Sequence, residues 1–146
     1  MNARTMCKRL RAAMIATLLV GTVAQAAVTV SASWVRPTTE RAATEAYLVL
    51  TSAEGATLRA AKSSLATSVV IRVAGAGTRP LPKLALPAGV PVALSPDGVH
   101  LVLRGLAHPL AVGERVPLLL TFELADGTRQ EVAVSAEVRA RPPPRP

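Results

Sequence analysis

The chain has 146 residues, half of them hydrophobic but only 2% aromatic, and a formal charge of +8. A single cysteine excludes an internal disulfide framework, and three aromatic residues (Trp34, Tyr47 and Phe122) give no stacking platform for nucleic acid. Much of the positive charge sits at the two ends rather than on a patch that could follow a phosphate backbone.

In chain order, Arg4, Lys8, Arg9 and Arg11 precede an apolar run from Ala12 to Ala24, and Ala24-Gln25-Ala26 is an A-x-A cleavage signal. Residues 1–26 therefore read as a secretory signal peptide, its apolar run short of the roughly 20 residues that span a bilayer. Cys7 lies before that run, not after it, and so is not placed like a lipoprotein cysteine. The expectation is an exported, periplasmic, soluble protein with no membrane span once the signal is gone. Four cationic residues and no acidic one leave with the signal, taking the formal charge from +8 to +4. Met1, Met6, Met14 and Cys7 leave as well, so nothing after residue 26 carries sulfur. The remaining length suffices for one core without staples, and residues 27–138 are expected to form a single β-domain. Residues 139–146, Arg-Ala-Arg-Pro-Pro-Pro-Arg-Pro, cannot join a strand ladder and read as a solvated tail.

The body alternates strands and turns. Val28, Val30, Ala32 and Trp34 share one parity, predicting a half-buried strand with Trp34 on its inner side. Thr39 to Ala46 is the one stretch with a hint of helical period. Ala46 to Ser52, Thr57 to Lys62, Ser68 to Val73, Leu84 to Leu86 and Val90 to Leu94 follow as short β runs. The turn Ser95-Pro-Asp-Gly98 then feeds Val99 to Leu106. Last come Val116, Leu118, Leu120, Phe122 and Leu124 on one face, the turn Asp126-Gly127, and Val132, Val134, Ala136 and Val138 on one face, a hairpin. Short strands punctuated by Gly and Pro predict an all-β sandwich or barrel.

The stretch 95–106 organises the functional reading. Alternation sends Val99, Leu101 and Leu103 inward, and His100, Val102 and Arg104 to the opposite face. Arg79-Pro80, Leu86-Pro-Ala-Gly89, Pro96-Asp-Gly-Val-His100-Leu-Val-Leu-Arg-Gly-Leu106, Pro109-Leu110, Gly113-Glu114 and Val116-Pro-Leu-Leu-Leu-Thr-Phe-Glu123 resemble the periplasmic copper chaperones of the PCu(A)C type. Together with Ala46-Tyr-Leu-Val-Leu-Thr51, the resemblance covers nearly all of residues 27–138. It implies a cupredoxin-like β-barrel, a Cu(I) cargo held by His and Met, and delivery towards cytochrome oxidase assembly.

On the same resemblance, the family's terminal His-x-Met falls on His100-Leu101-Val102. Its central methionine falls on Thr78, and its first histidine falls at or near Arg72, with the adjacent methionine near Val73 or Ala74. His100 is thus the sole metal candidate, because Arg72, Thr78 and Val102 are not ligands. Cu(I) selects thiolate, thioether and imidazole, and a sulfur-free domain with one imidazole at the site cannot supply that set. His108, ahead of Pro109, reads as a solvated loop residue. Arg72 and Arg104 would give the face a cationic character, repelling a metal or accepting an acidic partner.

The serines lack a triad and a G-x-S-x-G context, Gly75-Ala-Gly77 is a turn without phosphate-loop chemistry, and Glu114, Glu123, Glu131 and Glu137 are scattered. No enzyme is expected, nor any cofactor beyond the copper that the resemblance implies. The sequence therefore points to an exported copper chaperone-like protein with a degenerate metal site and a periplasmic protein partner. Its alternative is a metal-free cupredoxin-like binding or scaffolding module of the cell envelope.

Overall fold

The computed structural model describes residues 27–75 and 80–144, and every regular element among them is a β-strand. In chain order these are β1 (Val28–Val35), β2 (Ala43–Ser52), β3 (Ala56–Lys62), β4 (Ala66–Val73), β5 (Pro80–Leu81), β6 (Leu84–Leu86), β7 (Val92–Ala93), β8 (Val99–Leu106), β9 (Arg115–Leu124) and β10 (Arg129–Val138). Seven of them, in the spatial order β4-β8-β2-β1-β10-β9-β3, form a ring that closes where Ala61 of β3 pairs with Val69 of β4. The short strands β5, β6 and β7 attach to β4, β3 and β2. Closure leaves the ring no free long edge, the usual solution to the edge-strand problem. The expected signal peptide and the Thr78 position lie outside the described residues.

The β9–β10 hairpin forms as the alternation predicts. Val116, Leu118, Leu120 and Phe122 are buried, and their cross-strand partners include Val132, Val134 and Ala136 on the same inner face. Gly127 adopts φ +83° at the turn, a conformation that favours glycine. There the Asp126 carboxylate accepts from the Thr128 amide at 3.0 Å and from its hydroxyl. Those bonds hold the Asp126 carboxyl below the usual carboxylate range.

Three expectations need correction. The weak helical period at Thr39 to Ala46 comes to nothing: strand begins at Ala43, where the Thr44 hydroxyl donates to the Arg36 carbonyl at 2.8 Å and the Arg36 amide to the Glu45 carbonyl at 3.0 Å. The run Val90 to Leu94 joins β2 only from Val92, with the Leu94 amide donating to the Leu48 carbonyl at 2.8 Å, because Pro91 has no amide to donate and Val90 turns outward. The third correction concerns β1. Its register with β2 shifts between Ser31 and Trp34, with Ala32 in a left-handed conformation at φ +49°. The bulge reverses the parity of everything after it. Val35 enters the core and Trp34 leaves it, pairing with Tyr47 on the outer face.

The core is made of aliphatic side chains around one ring, including Val35, Leu48, Leu50, Leu58, Leu101, Leu103, Leu120 and Phe122. Each fully buried Val, Leu or Phe contributes roughly 1.5–3 kcal/mol. The even-numbered residues of β2 and, from Val99 to Leu103, the odd-numbered residues of β8 face inward, which leaves Glu45, Tyr47, His100 and Val102 on the far side of the same strands.

Candidate functional site

On that outer face, β8 lies between β2 and β4. Arg72 pairs directly with His100, Val70 with Val102, and Glu45 with Val102 from the other side. Residues opposite one another across a ladder share a face with Cβ atoms about 4.5–5.5 Å apart. The register therefore sets Arg72 beside His100, as the sequence alignment implies, and one step along sets Val102 between Val70 and Glu45.

Although parity sends His100 away from the core, it is 7% exposed. Tyr47, itself packed on Trp34, and the turn before β8 lie against it. The Trp34 and Tyr47 rings lie 4.7 Å apart, and the Tyr47 and His100 rings 6.2 Å apart. His100 Nδ1 donates to the Gly98 carbonyl at 3.1 Å, so the other ring nitrogen points across the face. There Nε2 meets Glu45 Oε1 at 3.6 Å. The second carboxylate oxygen, Oε2, accepts from the Tyr47 hydroxyl and lies 3.4 Å from Arg36 Nη1. The Arg36 guanidinium also sits 5.7 Å from the centre of the Tyr47 ring.

Burial, then the hydrogen bond to Glu45 and the charge of Glu45, push the Tyr47 phenol well above its ordinary range, with Arg36 opposing. The phenol is thus a fixed donor to Glu45 across the physiological range. Arg72 is only partly exposed, and its Nε is buried with no hydrogen-bond partner among the described residues. Arg104 shares the face but pairs with Ser68 and Ala43, two positions beyond Val102, and is solvated. His108 is solvated too, with Nδ1 near the Pro109 carbonyl at 2.8 Å and the Glu114 carboxylate at 3.7 Å.

The structure thus joins Arg72, His100 and Val102 and leaves Arg104 and His108 outside the cluster. Sequence reasoning missed Glu45, Tyr47, Trp34 and Arg36. The parity of β2 does place Glu45 and Tyr47 opposite Ala46, Leu48 and Leu50. Nothing local reports that β2 lies beside β8, and the bulge hides Trp34.

This donor set does not fit Cu(I). It offers one imidazole, no thioether and no thiolate, beside the fixed charges of Arg36 and Arg72. Among the described residues no three His, Cys, Asp or Glu side chains gather as a metal cluster.

A closed all-β ring with a cluster on the outer face of β2, β8 and β4 defines the class: the chain has the PCuAC copper-chaperone fold. It superposes on the copper-bound PCuAC domain from PmoF2 with a TM-score of 0.66 at 24% identity, covering 80% of this chain and 95% of that one. The Cu(I)-bound solution structure of DR1885 from Deinococcus radiodurans gives 0.60 at 32% identity, covering 83% of each chain. Residues 28–136 match the family described as "Putative lipoprotein LpqE-like", and the chain belongs to that family as a divergent member on this fold. "Putative lipoprotein Lxx21020" of Leifsonia xyli subsp. xyli (strain CTCB07) is 39% identical over 82 residues, 55% of this chain and 48% of that protein. The chain spans about half the length of that curated relative. The resemblance read from the sequence is borne out in family and fold.

Proposed function

We propose that this protein is an exported, envelope-associated relative of the copper chaperones whose own metal site is degenerate. It does not hold Cu(I) with its own side chains, and its outer face serves as a binding surface. One observation carries the reading: Arg72 stands in register beside His100, and Val102 follows, in a chain whose last sulfur-bearing residue is Met14. Removing the soft donors takes away the affinity that Cu(I) needs, and the neighbouring guanidinium adds repulsion.

Export is supported by the basic and apolar leader with its A-x-A site and by the lipoprotein names of the relatives. With Cys7 ahead of the apolar run and no cysteine after it, there is no thiol after the leader for lipid attachment. The relatives are named as copper-binding domains and putative lipoproteins, which supports a binding role rather than an enzymatic one.

A second reading keeps copper delivery, towards cytochrome oxidase assembly, with the missing ligands supplied by a partner. It is favoured by the copper bound in the PmoF2 domain and in DR1885. A titration of the purified protein with Cu(I) against a competing chelator tests the first. The first reading expects the wild type to compete no better than a His100→Ala variant. Tight Cu(I) binding that depends on His100 overturns it.

A further inference from the structure

Charge is distributed unevenly along the barrel. By their pairings, β1, β3, β8 and β10 all run to one end of it, and β2, β4 and β9 begin there. That end, apart from the Arg36–Glu45 pair, has Arg41, Lys62, Arg104, Arg115, Arg139 and Arg141 against Glu40, Glu114 and Glu137. The rest of the described domain, apart from the Arg59–Glu123 pair, has Arg72, Lys83 and Arg129 against Glu54, Asp97, Asp126 and Glu131. Six cations against three acids make the first end positive, while three against four leave the remainder slightly negative. Among the described residues none of the six forms an ion pair, and all but the half-buried Arg139 are exposed. They are scattered in the sequence, and closure of the ring collects them.

An apolar tip stands at the same end. Val112 is 63% exposed, in a loop fixed on both sides: the Leu110 amide donates to the Thr38 carbonyl at 3.0 Å, and the Gly113 amide to the Val138 carbonyl at 2.9 Å. The second bond ties the tip to the residue before Arg139. Pro37, Pro109 and Ala111 line an open hollow beside it. Val90, the other exposed large hydrophobic among the described residues, lies at the opposite end with Glu54 and Asp97. Apolar side chains projecting among arginines and lysines suit an anionic lipid surface, where headgroup charge attracts the cations and the acyl boundary accepts the apolar tip. Such a surface is laterally fluid and requires sign rather than fixed spacing, which suits cations set on separate strand ends and a proline-rich tail.

We propose that this end of the barrel rests on a bilayer surface containing anionic phospholipid, with Val112 entering the headgroup layer and the surrounding cations paired with lipid phosphate. The proposal rests on the reading above that the protein works at the cell envelope. It supplies the contact for a chain that has no thiol after Cys7 to take a lipid anchor. The opposite end, with Val90, then faces away from the bilayer.

The test is cosedimentation of the purified protein, its leader removed, with vesicles of phosphatidylglycerol and phosphatidylcholine, and with vesicles of phosphatidylcholine alone. Binding is expected only to the first, falling about tenfold or more between ~0.05 M and ~0.5 M salt. Arg139→Glu combined with Arg141→Glu should weaken it by about tenfold or more, and Val112→Asp by about threefold or more. Arg129→Glu and Val90→Asp, at the other end, should leave it unchanged, and circular dichroism checks that each variant is folded. With no thiol after residue 26, an environment-sensitive dye can be placed on Val112→Cys or Val90→Cys. Its emission should shift to the blue on anionic vesicles for the first and stay constant for the second. No binding to anionic vesicles, equal binding to neutral ones, or equal sensitivity at the two ends overturns the proposal. A salt-sensitive dimer that forms through the basic end in place of vesicle binding overturns it too. None of these outcomes bears on export or on Cu(I) affinity, which the chelator titration addresses with different residues.

Discussion

The β9–β10 hairpin and the β1-β2-β8-β4 sheet are built from the same alternating Val, Leu and Ala, yet only the second buries a polar cluster on its outer face. The hairpin is regular: its register runs unbroken from Arg129↔Glu123 to Glu137↔Arg115, and its outer face is solvated. The other sheet is interrupted in two places, by Ala32 at φ +49° and by Gly105 at φ +62°. The bulge at Ala32 delivers Trp34 to the outer face, where it packs on Tyr47, whose ring lies beside that of the buried His100. Regular alternation makes a scaffold, whereas departures from it assemble the site.

The largest effect is expected in the scaffold. Phe122 is fully buried in β9, and Phe122→Ala should cost about 3–5 kcal/mol in a urea titration. If the two regions are divided as described, the folded fraction of that variant keeps the near-ultraviolet signal of the tilted Trp34–Tyr47 pair. A lost signal in still-folded protein would show that the cluster leans on the hairpin.

Next in size is Gly105, where a Cβ would stand 2.4 Å from Thr67 Oγ1 in addition to the left-handed backbone. Gly105→Ala should therefore destabilise by about 1–3 kcal/mol, measured in the same way. A neutral result would mean that the irregular sheet can relax at Gly105 without penalty.

The smallest effect concerns pH. Because burial and Glu45 raise the Tyr47 phenol, its contribution to stability is complete below the ordinary tyrosine value of about 10. It is lost as pH rises through the folded-state value. Tyr47 is the sole tyrosine, so phenolate absorbance should appear together with alkaline unfolding. Phenolate forming near the ordinary value while the fold is intact would show that the cluster is open to solvent.

Much of the fold was legible in the sequence because alternation is a local signal. Val116 to Leu124, Asp126-Gly127 and Val132 to Val138 specify a hairpin and its inner face without outside help. The site was legible only in part. His100, Arg72 and Val102 came from the family resemblance, whose motif positions the β4–β8 register brings together. Glu45 and Tyr47 did not, because the β2–β8 pairing joins segments far apart in the chain, and no residue pattern announces it. Trp34 was assigned to the wrong side because parity counts forward blindly through a bulge.

The ring closes at Ala61↔Val69, a single registered pair, whereas β4 is laddered to β8 from Ala66 to Val73. Local openings begin where backbone pairing is sparse, so thermal fluctuations part β3 from β4 before they part β4 from β8. The barrel then becomes an open sheet for a moment, with Arg72, His100, Glu45 and Tyr47 still riding together on its intact strands. On this pairing pattern, closure of the barrel and integrity of the cluster are expected to be separate events, with the cluster outlasting the closure.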